Sequence, residues 1–590
     1  MAKDYSLEKQ RRFTPVALVS EFISGLSVEY PYGLGWSAVG LSKIAVQLAL
    51  PAIIAIGAFL RMWQLNSLGF NSDEAVYAGQ GAAIAADPTL KEIFPIFRAH
   101  PLLFQFVLAL GFRFSGVSDL IGRIFSVVAG LATIYLIYQL GALLYGRKAG
   151  LFAALFLALM PYHIIVTRQV LLDGAMVLFA TLTLYMLARF ATTNHPAWLY
   201  AAGAAMGLTF LTKETGLVML GAVYIFLSLC PTLRVRIRDL VGSIVCMVGV
   251  IAPHFVTLSL VGRTKTAQQF LLWQLFRRSN HEWDFYASTV PFAIGPLVIL
   301  AALLGFWLLR RERTWRETLL VAWVLVPTVF FQLWPVKGFQ YLLPAAPAVA
   351  ILAARTVSRS GQTRYAASDR GGAHSRWRRA LIVGALAGTL ALSRRRLQEA
   401  SLRALAVSLR PFTAAKPRRR LLPAWWRPLA AGLIACSLLA SSWSAVNTVI
   451  SDEFIAGTGG IPGGREAGEW VRDNVPQGAK LVAVGPSMAN IIQFYGHRRT
   501  YGLSVSSNPL HRNPVYEPVI NPDKLIRNGE LQYFIYDVFS EARSAHFSAS
   551  LLNYVRRYHG RAVHTESVMV TLPDGTTTLK PIIVIYEVRP

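Results

Sequence analysis

The sequence predicts a polytopic α-helical membrane protein of about eleven spans, followed by an extracytoplasmic soluble α/β domain. Three observations carry that expectation. First, 54% of the 590 residues are hydrophobic and only 15% are charged, with a mean hydropathy of +0.43, too apolar a balance for a soluble chain of this length. Second, the apolar residues fall in runs long enough to cross a bilayer, and the basic clusters between them recur on one side. Third, the runs stop near residue 450, and over 452–590 basic and acidic residues nearly balance, 14 against 13.

The N-terminal segment, 1–43, carries Lys3, Lys9, Arg11, Arg12 and Lys43 and by the positive-inside rule is cytoplasmic. It has no early apolar core with a small-residue cleavage site, so no cleaved signal peptide is expected. The first run, from about Ile44 to Trp63, is followed by Phe70-Asn71-Ser72-Asp73-Glu74-Ala75-Val76-Tyr77-Ala78. Twenty residues rising about 1.5 Å each cover the roughly 30 Å hydrocarbon core, so Asp73 and Glu74 lie where the lipid ends, on the outer side. In the plain reading Ser72 or Asp73 caps a helix from Glu74 to about Ala86, with its acids at the positive end. In the chemical reading two carboxylates are presented at a membrane face. The rest of the large external loop, 64–118, holds Asp87-Pro88, His100-Pro101 and an apolar run over 102–114. That run is too short to span and suits a helix lying in the interface.

Further runs follow at about 119–145, 149–166, 172–192, 197–212, 214–230, 240–262, 291–309, 317–335, 339–356 and 428–450. Threading them alternately puts Arg147-Lys148, the cluster Arg234, Arg236 and Arg238, and the cluster Arg310, Arg311, Arg313 and Arg316 inside. These clusters were not used to set the alternation, so their agreement supports it. The transmembrane core is therefore 44–356, with the last span at 428–450. The intervening cytoplasmic loop, 357–427, is strongly basic. From Arg355 to Arg427 there are 17 Lys and Arg against Asp369 and Glu399, a surplus of 15 in a chain of net charge +27. A loop of that composition beside a membrane points to anionic lipid rather than nucleic acid. Its apolar stretch 380–392 is expected to be interfacial or a half-helix.

In the domain 452–590, hydrophobic periodicity predicts helices over 464–475, 486–495 and 541–558, strands over 480–484 and 532–536, and a hairpin of 563–571 with 581–588. Gly457–Gly464 is a linker, and the G-x-G-x-x-G dinucleotide fingerprint is missing. The three cysteines, Cys230, Cys246 and Cys436, lie in or beside apolar runs; they read as small core residues and form no disulfide framework.

The threading gathers ionisable residues on the outer side: Asp73, Glu74, Arg98, His100, Arg168, Asp173, Lys213, Glu214, His281, Glu282, Asp284 and Lys337. Each alone has a bland reading, as a solvated turn, a snorkelling lysine or a helix cap. Their joint placement suits group transfer from a lipid-linked phosphate. A carboxylate takes the proton from an acceptor hydroxyl, and Arg and Lys stabilise the departing phosphate.

Several stretches occur here in order: Asp73-Glu74-Ala75-x-Tyr77-Ala78, then His100-Pro101, Arg168 with Asp173, Leu211-Thr212-Lys213, and Lys337 followed by Tyr341-Leu342-Leu343-Pro344. This ordered set resembles the GT-C superfamily, and within it the branch of protein O-mannosyltransferases and aminoarabinose transferases. The likeness covers about 44–356. It implies an inverting glycosyltransferase that moves a sugar from a polyprenyl-phosphate donor to an acceptor hydroxyl of a protein, glycan or lipid. The catalytic candidates are Asp73, which matches the family's acid, with Glu74 and Asp173. Tyr77, Arg98, His100, Arg168, Lys213, Lys337 and Tyr341 are the substrate-binding set, and Arg168 is the first choice for the phosphate. The chain departs from the family at Leu102, where a second Pro is usual, and at Glu214, where Gly is common.

No cofactor is required and no metal ligand is assigned. The resemblance leaves a divalent metal open, for which His281, Glu282 and Asp284 offer atoms without a decisive spacing. The competing readings are a polytopic transporter, which needs polar groups at mid-membrane, and a non-catalytic lipid-binding scaffold.

Overall fold

The computed structural model describes residues 41–96, 100–230, 233, 235–262, 264–277, 279–308, 314–358, 425–449, 460–571 and 576–589. Arg98, nearly all of the segment 1–43 and of the loop 357–427, and most of the linker 457–464 lie outside the described residues. The chain divides into two compact units, Met1–Leu50 and Pro51–Pro590. Of the first unit the described part is the opening of helix α1 (Leu41–Met62), and everything below concerns the second.

The loop after α1 holds α2 (Ser72–Ile84), α3 (Leu90–Ile93) and α4 (Leu103–Ser115). Asn71, not Ser72 or Asp73, caps α2: its side chain accepts from the backbone N–H groups of Asp73 and Glu74, and Glu74 answers the Asn71 N–H in a capping box. Asp73 thus falls in the first helical turn. Helix α4 buries Phe104, Leu108 and Phe112 and leaves Phe106, Leu110 and Phe114 exposed, the two-faced pattern of a helix lying along an interface.

The apolar body continues with α5 (Asp119–Tyr145), α6 (Arg147–Ala158), α7 (Pro161–Thr167), α8 (Leu172–Thr193), α9 (Pro196–Thr212), α10 (Met219–Leu229), α11 (Ile237–Leu260) and α12 (Thr264–Leu275). Then come α13 (Phe285–Ile294), α14 (Pro296–Leu308), α15 (Trp315–Leu333), α16 (Ala346–Ser358) and α17 (Trp426–Asn447). Among the described residues six helical segments are long and apolar enough to cross a membrane, or up to eight if each bent pair is one span. The chain is a multi-pass membrane protein. All eleven expected runs are helical, but α9 and the segment Glu214–Leu229 are shorter than a full span, and the described apolar part of α1 is Leu48–Met62. The bent pairs are α6 with α7, turned by 61° ahead of Pro161, and α13 with α14, turned by 94°. At the second bend Gly295 has φ +101°, a conformation that side chains strongly disfavour, and Pro296 begins the next helix.

Burial sorts the helices. α8 is 78% buried and packs against α5 and α9, whereas only 6% of α11 is buried, leaving Val241, Val245 and Val248 on an exposed apolar face. The close seam between α5 and α6 depends on two glycines, since a Cβ at Gly150 would lie 2.5 Å from the Tyr138 carbonyl and one at Gly141 would lie 2.9 Å from the Gly150 Cα. All three cysteines are free. Cys230 is buried as expected, but Cys436 is on an exposed face of α17, because that helix packs along one side only.

The C-terminal part comprises α18 (Gly464–Asn474), β1 (Lys480–Ala483), α19 (Pro486–Gly496), β2 (Thr500–Gly502), α20 (Pro522–Arg527), β3 (Leu531–Asp537), α21 (Val538–Arg543), α22 (Ala545–Arg557), β4 (Arg561–Thr571) and β5 (Thr577–Glu587). The sheet order is β2-β1-β3-β5-β4, with the first three strands parallel and β5 antiparallel to both neighbours. Val482, Phe534, Leu551 and Val555 are in its core. The short β2 and α20 escaped the sequence, since three-residue and six-residue elements carry too little periodicity, and the expected helix 541–558 is split at Ser544.

This domain is fastened to the loop after α1. α19 packs on α2. Asp119 Oδ2 accepts from Arg465 Nη2 at 2.7 Å, Arg465 Nε at 3.1 Å and the Tyr495 hydroxyl at 2.6 Å. Tyr495 in turn accepts from the Phe70 N–H at 2.6 Å, and Asn490 donates to Ser72 Oγ at 3.1 Å. Burial and the neighbouring Asp119 carboxylate push the Tyr495 phenol far above its ordinary value, so it stays a neutral donor.

Candidate active site

The two adjacent acids of the loop after α1 have opposite environments. Successive residues of a helix point about 100° apart, so Asp73 and Glu74 cannot share a surface. Glu74 is fully buried, and its carboxylate accepts four hydrogen bonds: from Arg123 Nε and Nη2, both at 2.9 Å, from the Val170 N–H at 2.9 Å and from the Asn71 N–H at 3.1 Å. Arg123 also donates to the carbonyls of Leu65, Leu68 and Gly69. Glu74 therefore clips the loop to α5 and to the turn before α8, with no lone pair left for a substrate. Asp73 is exposed, and its carboxylate accepts no hydrogen bond from the described residues.

Around Asp73 the fold collects groups from five segments. Tyr77, one turn along α2, is buried, and its phenol is pushed well above its ordinary value by burial, with the carboxylates of Asp73, Asp173 and Glu214 adding to the effect. Asp173, in the first turn of α8, is 1% exposed and holds Lys213 through both oxygens, at 2.9 and 2.8 Å. Lys213, at the end of α9, also lies over the Tyr341 ring, 5.0 Å from its centroid. Glu214, the departure from the family's Gly, accepts from or shares a proton with His100 Nδ1 at 2.7 Å, and the His100 ring meets Tyr77 edge-on at 6.0 Å. Asp173 and Lys213 are thus neither a solvated turn nor a snorkelling lysine but a buried pair at the base of the site.

Arg277 completes the cluster and was not among the residues singled out from the sequence. It is half-buried just after α12, and the fields of Tyr341 and Asp73 act on it. Burial lowers its guanidinium from the ordinary value, an effect those two partners oppose. Its contacts are Gln274 Oε1 at 3.3 Å and the Trp273 ring at 4.6 Å; among the described residues it has no carboxylate in ion-pair range. The only signal in the sequence is an Arg277-Arg278 pair on a side where the threading places few basic residues.

Two expected ligands are placed elsewhere. Arg168 is 1% exposed, and its fork caps the C-terminus of α1: Nη1 donates to the carbonyls of Leu60 at 2.7 Å and Arg61 at 3.2 Å, and Nη2 to that of Trp63 at 2.6 Å. Its first-choice role at the phosphate is replaced by a helix cap, because the bend between α7 and α8 aims it at the end of α1. Lys337 borders a cavity beside Trp283 rather than the Asp173–Lys213 pair. His281, Glu282 and Asp284 do not converge: among the described residues no three His, Cys, Asp or Glu side chains gather to hold a metal, and His281 stacks on Phe285 at 4.0 Å.

Comparison with known proteins fits this geometry. Residues 99–257 match the family model described as dolichyl-phosphate-mannose-protein mannosyltransferase. An uncharacterised protein of Aquifex aeolicus (strain VF5) is 27% identical over 262 residues, covering 43% of this chain and 52% of the relative. The undecaprenyl phosphate-alpha-4-amino-4-deoxy-L-arabinose arabinosyl transferase of Serratia proteamaculans (strain 568) is 29% identical over 252 residues, 39% of this chain and 44% of the relative. The matched part thus spans about half the length of these curated relatives. Among solved structures, ArnT from Cupriavidus metallidurans in the apo state superposes with a TM-score of 0.60 at 16% identity, over 92% of this chain and 98% of that one. The same protein bound to undecaprenyl phosphate gives 0.58 at 17%, over 93% and 98%. The resemblance read in the sequence is supported: the chain shares the fold of ArnT over most of its length, and its residues 99–257 match a mannosyltransferase family model.

Proposed function

We propose that this GT-C chain is an inverting glycosyltransferase that moves a sugar from a polyprenyl-phosphate donor to an acceptor hydroxyl of a protein, glycan or lipid. We place the reaction at the outer face of the cytoplasmic membrane, with eleven spans, the core at 44–356 and the domain 452–590 outside, and the basic loop 357–427 inside. The charge asymmetry of the sequence supports that orientation. The solved relative in complex with undecaprenyl phosphate supports the donor class.

The observation that carries the proposal is the unengaged, exposed Asp73 carboxylate on a helix start locked by Glu74 and Arg123, in electrostatic range of Arg277, Tyr77 and Asp173. In this reading the acceptor O–H gives its proton to Asp73 as its oxygen forms a bond to the sugar's anomeric carbon. The bond from that carbon to the phosphate oxygen breaks on the opposite face, which inverts the configuration. The polyprenyl phosphate leaves with the electron pair, and Arg277 stabilises its charge. Asp173 keeps Lys213 in place beneath the phosphate, and the neutral phenol of Tyr77 supplies a hydrogen bond to the sugar or the leaving group.

The test is Asp73→Asn assayed with a panel of labelled polyprenyl-phosphate sugars. Asn keeps the shape and suits a first helical turn but cannot act as a base, so turnover falls by about 10² to 10⁴-fold while donor binding and folded yield are kept. A folded variant with near-normal transfer removes Asp73 from the mechanism.

A further inference from the structure

A cavity of about 470 Å³ is bordered by Asn280, His281, Glu282, Trp283, Trp334 and Lys337. Lys337 is 4% exposed, yet among the described residues its ammonium makes no hydrogen bond and no ion pair; its nearest partner is the Trp283 ring, 5.4 Å from the centroid. A buried cation without a counter-ion is unfavourable unless a ligand supplies one. The lysine is also fixed at its root. The Lys337 N–H donates to Asn280 Oδ1 at 2.7 Å, and Asn280 Nδ2 donates to the Lys337 carbonyl at 2.8 Å, so the backbone cannot carry the side chain away to solvent.

The walls suit a sugar. Trp283 is 64% exposed and offers a broad aromatic face, while Asn280 and Glu282 supply amide and carboxylate atoms for hydroxyls. This is the combination of apolar surface and few placed polar groups typical of a small-ligand site. Burial, together with the positive fields of Arg543 and Lys337, lowers the His281 imidazole below its ordinary value, so it is neutral at physiological pH and Lys337 is the cavity's positive group. Gly338, the neighbour of Lys337 in the chain, is close to Tyr341 of the candidate site: a Cβ there would lie 2.9 Å from the Tyr341 ring.

We propose that this cavity seats the acceptor: an anionic sugar, phosphorylated or carboxylated, whose ring lies on Trp283 and whose anion pairs with Lys337. The inference rests on the transferase reading above and assigns Lys337 to the acceptor rather than to the donor phosphate. Arg277 and Lys337 then bind different anions from the two ends of the segment 277–283 and the chain leading to Tyr341, and the acceptor hydroxyl is directed across Gly338 towards Asp73.

The experiment uses the full chain in nanodiscs of neutral phosphatidylcholine and measures equilibrium binding of labelled glucose 1-phosphate, glucose and undecaprenyl phosphate, none of which requires turnover. Wild type is expected to bind glucose 1-phosphate at least about tenfold more tightly than glucose, the preference a charge-assisted contact provides. Lys337→Met removes that preference, Lys337→Arg keeps it, and Trp283→Ala, at an exposed position with no folding role, weakens both sugars. Undecaprenyl phosphate binding stays within about twofold in all three. Equal binding of glucose 1-phosphate by wild type and Lys337→Met overturns the proposal. So does a loss of undecaprenyl phosphate affinity in Lys337→Met, which would put the lysine on the donor side. Displacement of glucose 1-phosphate by added phosphatidylglycerol overturns it too, since the cavity would then hold a membrane headgroup. Failure of the transferase reading has a different signature: sugar phosphate binds as stated, but no donor in the panel is turned over.

Discussion

Replacing Glu74 by Gln separates the two adjacent acids by mechanism. In the wild type all four lone-pair positions of Glu74 are occupied, two by the Arg123 guanidinium and two by the backbone N–H groups of Val170 and Asn71. A Gln amide has one oxygen, so two of those four donors would meet an NH₂ group, and Arg123 would be left charged and about 99% buried beside a neutral partner. Breaking a buried, hydrogen-bonded ion pair from one side costs about 3 to 5 kcal/mol. The three carbonyls of Leu65, Leu68 and Gly69 that still receive Arg123 argue for the lower end, about 3 kcal/mol. The assay is thermal unfolding in detergent together with the monodisperse yield, followed by transfer per folded molecule. Glu74→Gln is expected to melt several degrees lower, and a double-mutant cycle with Arg123→Gln should return most of the cost as coupling. Asp73→Asn should melt as wild type. A Glu74→Gln protein as stable as wild type, with turnover reduced as strongly as in Asp73→Asn, would refute the positioning role and return Glu74 to the chemistry.

Three further outcomes are expected. Arg168→Ala loses its bonds to the end of α1 and costs about 1 to 3 kcal/mol of stability with donor affinity unchanged, whereas Arg277→Ala weakens polyprenyl-phosphate binding about 10 to 100-fold at unchanged melting temperature. The reverse pattern in donor titrations of the two purified variants would exchange their roles. Asp119→Ala removes the acceptor shared by Arg465 and Tyr495, so amide hydrogen exchange should rise at least about tenfold in both Ser72–Ile84 and Pro486–Gly496; faster exchange in one segment alone would show that the two are not coupled there. For topology, a membrane-impermeant thiol reagent applied to intact cells should label a cysteine placed at 505 and spare one placed at 370, and the opposite result would invert the orientation.

What the sequence determined was everything that follows from local pattern. Apolar runs made eleven helical segments legible because a helix needs only its own residues to satisfy its backbone in lipid. The switch to balanced charge after 450 marked off the C-terminal domain, and Asp73 after the first run pointed to the candidate site. Tertiary structure alone decided which polar residues are free to act. Glu74 and Arg123 are 49 residues apart, His100 and Glu214 are 114 apart, and Arg168 reaches back 108 residues to Leu60. No periodicity encodes such pairings, because each depends on how helices cross and on where bends such as the one before Pro161 aim a side chain. Arg277 and Arg168 are equally basic in the sequence, and only packing leaves the first in the electrostatic field of Asp73 and turns the second into a helix cap. Lys337 was visible as a cation, but its lack of a counter-ion among the described residues arises from the fold, since in a low-dielectric interior a charge is defined by what is packed against it.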